Sequence, residues 1–131
     1  MKHKPIPKKI RERVYAKYNG HCAYCGCELE YKDMQVDHAN SLWSKAYPDG
    51  QRRVTDDPSI TQDDSFENLM PSCRQCNFYK DVCNIEEFRH ILKESFEKNS
   101  LNTWQIRFGI KYGMIEKHPW DGKFYFEKAL I

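Results

Sequence analysis

Near the start of the chain, Ile10, Val14 and Tyr18 recur every four positions and so share one face of the segment from Lys8 to Tyr18. That period is helical, and Asn19-Gly20 supplies a stop. The pattern predicts a first helix over 8–18, with Lys9, Arg13 and Lys17, also four apart, as a second, basic stripe. The cysteine-dense stretch HCAYCGCELEY that follows reads as a tight knuckle turn. In MQVDHA, Met34 and Val36 alternate with Gln35 and Asp37, which predicts a short strand. From Asn40 to Asp64 periodic apolar positions give way to Asp, Ser, Pro and Thr, the composition of a long loop.

Beyond that loop, SFENLMPSC supplies an extended piece around Leu69 and Met70, and CRQCNFYKDVC has room for about two helical turns. Asn84 with Glu87 forms a capping box before Phe88, Ile91, Leu92 and Phe96, which share one face of a helix expected over 85–98. Trp104, Phe108 and Tyr112 repeat at helical spacing, so another helix should end near Gly113. Their spacing reads as a core stripe in preference to a stacking platform for bases. Asp121-Gly122 marks a turn, and Lys123 to Glu127 alternates like an edge strand.

With 131 residues, 40% of them hydrophobic and 31% charged, the chain suits one compact domain. No apolar run approaches the ~20 residues that span a bilayer, and the start, MKHKP, lacks the apolar stretch of a signal peptide. A cytoplasmic, reducing setting is therefore expected, in which cysteines serve as metal ligands more readily than as disulfides. The net charge of +2 hides an uneven distribution. Residues 1–20 hold seven basic side chains against one acidic, whereas 49–67 hold six acidic against two basic. The first block suits phosphates or a solvated helix face, and the second a polar loop.

The chemistry concentrates in two C-x-x-C pairs, Cys22/Cys25 and Cys73/Cys76, separated by 47 residues. Two such turns facing each other complete a tetrahedral sulfur site; thiolates select zinc, and four protein ligands leave no open position, so the site is expected to be structural. Redox chemistry or unligated core thiols are the alternatives. Cys27 and Cys83 read as surplus thiols, and His21 as a candidate substitute ligand. Asp37-His38 ends the predicted strand and Asn77 directly follows Cys76. Folding the second pair onto the first brings a carboxylate, an imidazole and an amide oxygen together, a minimal hydrolytic set.

In this order, C-x-x-C, Asp37-His38, Asn68-Leu69 and C-x-x-C-Asn77 with Lys80 following, the chain resembles the HNH endonucleases over about residues 10 to 83. The resemblance implies an α+β fold with a ββα-metal core over 8–83. That core would carry a four-cysteine zinc site and an N-terminal helix, with a helical extension over 84–131 ending in a short strand, all in one domain. It implies a metal-dependent endonuclease that hydrolyses DNA phosphodiesters. His38 would be the general base, Asn68 would fix the loop carrying that base, and Asp37 and Asn77 would hold the catalytic metal. The family's last position is often His; an oxygen donor at Asn77 favours Mg²⁺ or Mn²⁺ over softer ions. Lys80 and Arg74, on one face of the helix after Cys73, are expected phosphate contacts, together with Lys9, Arg13 and Lys17. Lys80 also reads as a solvated partner of Asp81. Family members of this size often serve phages or mobile elements, which would supply a protein partner. The alternative is a zinc-knuckle module that binds nucleic acid or protein and cleaves nothing.

Overall fold

A computed structural model describes residues 5–40 and 64–129. The expected loop from Asn40 to Asp64 and most of the acidic block lie outside the described residues. Helix α1 spans Lys8–Ala16 and buries Val14. It stops two residues before the expected end because the backbone tightens: Lys17 N bonds Val14 O and Asn19 N bonds Ala16 O, both three residues back. Asn19 and Gly20 then take positive φ, 54° and 77°. A Cβ at residue 20 would lie 2.9 Å from the Tyr15 hydroxyl, so only glycine fits there.

Strands β1 (Gln35–His38) and β2 (Leu69–Ser72) pair antiparallel, with Asp37 opposite Met70 and His38 opposite Leu69. All four β2 residues are buried. Helix α2 (Arg74–Lys80) follows at once and packs against β1. The fold is thus α+β, helices with one small antiparallel sheet. Two members of the basic stripe on α1 face this sheet region. Lys17 Nζ donates to Phe66 O and Leu69 O, each at 2.9 Å, and Arg13 lies 4.5 Å over the Phe66 ring. Lys17, expected at phosphates, therefore spends its charge on carbonyls of the chain itself.

By internal contacts the described residues form two units, one of 5–40, 64–84 and 124–129, the other of 85–123. In the second, helix α3 (Ile85–His90) continues into a wider π-wound stretch, Ile91–Glu97. Helix α4 (Trp104–Lys111) starts on the Thr103 side chain, which accepts from Ile106 N. Its aromatic stripe corrects an expectation. Trp104, Phe108 and Tyr112 are 66%, 40% and 64% exposed and pack on one another, with ring centroids 5.2 and 4.9 Å apart. Helical spacing put the rings on one face, but no residue of α4 is buried.

The tail differs as well. The expected edge strand is a helical turn, α5 (Tyr125–Lys128). Glu127 Oε1 accepts from Phe124 N, while Tyr125 N and Phe126 N donate to Tyr24 O and Ala23 O. Phe124 is buried and meets the Tyr24 ring edge-on at 5.6 Å. These tertiary bonds override the alternation of Phe124 and Phe126. No helix among the described residues is long and apolar enough to cross a membrane.

Candidate functional site

The knuckle is closed by its own backbone. Cys22 N donates to Cys27 O at 2.8 Å, and Gly26 N to Cys22 O at 3.0 Å. Gly26 takes φ +81°, and a Cβ there would strike the Tyr125 ring at 2.7 Å. Ala23 N bonds Pro71 O, which ties the knuckle to β2. Cys73 caps α2, its sulfur accepting from Cys76 N, while Cys73 N donates to the Cys22 sulfur at 3.3 Å.

The sulfurs of Cys22, Cys25, Cys27 and Cys73 all lie within 4.8 Å of one another, with Cys25 and Cys73 3.9 Å apart. Four thiolates around one zinc at about 2.3 Å would stand about 3.8 Å from each other. The cluster fits such an ion. The Cys76 sulfur joins it through hydrogen bonds with those of Cys22 and Cys25. Cys27, read in the sequence as surplus, thus brings a fifth sulfur to the group. All five thiols are free of disulfides. Hydrogen bonds from Cys25 and Cys76 draw the Cys22 thiol well below its ordinary pKa, and the same bond to Cys22 pushes Cys25 and Cys76 up. Such a shared set of protons is what a divalent cation displaces on binding. His21 stays outside the group: its ring stacks on Tyr125 at 5.4 Å and its Nδ1 lies 3.2 Å from two carbonyls. Cys83 is buried apart from the cluster.

From the knuckle, Tyr24 reaches the second group of polar residues. Its hydroxyl donates to Asp37 Oδ2 at 2.5 Å, and Lys80 Nζ contacts the same oxygen at 2.9 Å. Lys80 also donates to His38 O at 2.8 Å and is fully buried. This corrects its expected place at the phosphate surface. A helix position near Asn77 did not reveal that the side chain turns inward to a carboxylate. Burial pushes the Asp37 carboxyl above its usual range, against the pull of Lys80 and Tyr24. Burial, then Asp37 itself, raises Tyr24 well above the ordinary phenol value. Replacing Lys80 with methionine strands a buried carboxylate and is expected to cost about 3–5 kcal/mol of stability. Chemical denaturation should show the loss, and adding Asp37→Asn should recover much of it.

His38 Nε2 lies 2.7 Å from Asp64 Oδ1. The Asn68 carboxamide bridges the backbone of Asn40: Asn40 N donates to Oδ1 at 2.9 Å, and Nδ2 donates to Asn40 O at 3.1 Å. Asn68→Ala would leave both backbone groups without that partner, an expected cost of about 1–3 kcal/mol in a denaturant titration. Asn77 is half-buried on α2, the helix that packs against β1, which carries Asp37 and His38. Arg74 on α2 and Lys9 and Arg13 on α1 are exposed. Tyr24 and Asp64 were missed in the sequence. Tyr24 lay inside a motif read only for its cysteines, and Asp64 in a loop without periodicity.

No family model, no curated protein and no solved structure matches this chain.

Proposed function

We propose that the chain is a metal-dependent endonuclease of the HNH type, a ββα-metal core held by a structural zinc in the cysteine cluster and hydrolysing DNA phosphodiesters. Asp37 and Asn77 would hold Mg²⁺ or Mn²⁺, ions suited to oxygen donors. Bound there, the ion supplies charge stabilisation for the pentacovalent phosphate and the departing 3′ oxygen. Oδ2 of Asp37 is engaged by Tyr24 and Lys80, which orients the carboxylate and assigns Oδ1 to the ligand. With Nε2–H donated to Asp64, the His38 lone pair lies on Nδ1, where it takes the proton of the attacking water. The water oxygen bonds phosphorus as the 3′ oxygen leaves. Arg74, Lys9 and Arg13 offer exposed charge for the backbone of a duplex.

The observation that carries this reading is the Asn68 carboxamide closed on Asn40, two residues past His38. That bond holds the chain directly after the proposed base, and a module that only binds has no need of it. A second reading, a zinc-knuckle binding module, draws on the Asp37–Lys80 pair, since a carboxylate already matched by a buried ammonium can be purely structural. Supercoiled plasmid separates the two. The nuclease relaxes it only when Mg²⁺ or Mn²⁺ is added, whereas the module shifts its mobility and leaves every strand intact.

A further inference from the structure

Five thiols surround a centre that one zinc fills with four. We propose that Cys27 and Cys76 are interchangeable ligands, so that the cluster holds its metal either as Cys22, Cys25, Cys73 and Cys76 or as Cys22, Cys25, Cys27 and Cys73. This rests on the metal-binding part of the function above and not on cleavage.

Both sets are within reach of one ion. The Cys27 sulfur lies within 4.8 Å of those of Cys22, Cys25 and Cys73, close to the edge of a thiolate tetrahedron. The Cys22 N to Cys27 O bond anchors that position to the first ligand, and Gly26 at φ +81° turns the chain between Cys25 and Cys27. Cys76, in the first turn of α2, hydrogen-bonds the sulfurs of Cys22 and Cys25, so it occupies the same side of the group. Cys22, Cys25 and Cys73 are common to both sets. In the exchange one metal–sulfur bond forms to Cys27 as the bond to Cys76 breaks. The proton leaving the Cys27 thiol is taken up by Cys76, so the charge of the site is unchanged. Cys27 is exposed and Cys76 only half so, which gives the spare thiol a route to solvent in one of the two states.

The test uses the full chain loaded with Co²⁺, whose sulfur charge-transfer absorption counts bound thiolates. Wild type, Cys27→Ser and Cys76→Ser should each bind one ion with a four-thiolate spectrum, and only the double variant Cys27→Ser/Cys76→Ser should drop to three. A three-thiolate spectrum in either single variant overturns the exchange while leaving the metal site standing. Failure of wild type to bind Co²⁺ or Zn²⁺ overturns the site and the exchange together. If a single variant does not fold, alkylation of zinc-loaded wild type followed by peptide mass spectrometry decides. Label divided between Cys27 and Cys76 supports the exchange, and label confined to one of them overturns it.

Discussion

Replacing His38 with alanine is expected to lower DNA cleavage by about 10²- to 10⁴-fold, the range that general-base assistance supplies. The fold should survive. The backbone oxygen of His38 receives Lys80, and that bond does not depend on the imidazole. The side chain's bond to Asp64 joins it to a carboxylate whose side chain is 52% exposed and readily solvated when the partner is lost. A pair of this exposure contributes about 0–1 kcal/mol. Single-turnover nicking rates beside thermal unfolding curves separate the two effects. A large fall in rate with an unchanged transition is the expected result. A matching fall in stability would assign His38 to structure.

Stripping the metal should have the other large effect. Structural zinc in small domains contributes about 10–16 kcal/mol of apparent binding energy, which meets or exceeds the ~5–15 kcal/mol by which such domains are stable. The cluster joins the knuckle to the start of α2, and Tyr24, between two of its cysteines, carries the bond to Asp37. Excess chelator is therefore expected to abolish the cooperative unfolding transition of the unit holding both strands, and one equivalent of Zn²⁺ to restore it. A transition that persists in zinc-free protein, verified by elemental analysis, would show that packing alone suffices.

Local signals carried much of this fold. Four-residue spacing located α1 and α4, alternation located β1, and the C-x-x-C pairs were spaced to face each other, as the sulfurs do. What depended on partners from elsewhere in the chain was not legible. The alternating Phe124 and Phe126 are strand-like in isolation, yet the carbonyls of Ala23 and Tyr24, over 90 residues earlier, receive the backbone of α5. Helical spacing assigned Trp104, Phe108 and Tyr112 to one face but could not say whether another element would cover it.

The polar residues show the same divide. Asp37, His38, Asn68 and Asn77 could be named because their types and order carry chemistry. Lys80 was named for the wrong surroundings, because a lysine in a polar segment reads as solvated until its carboxylate partner is located. Lys17 follows that pattern, with Phe66 O and Leu69 O as its partners. Cys27 fell outside the two-pair spacing and was set aside, although the turn at Gly26 returns its sulfur to the cluster.

The central claim is that the zinc clamp supports a hydrolytic centre, and the most direct measurement is the fate of supercoiled DNA mixed with zinc-loaded wild-type protein. Open-circular or linear product that forms on adding Mn²⁺ or Mg²⁺, and not in their absence, is the predicted outcome. Folded, zinc-replete protein that leaves the plasmid supercoiled with either ion would contradict it.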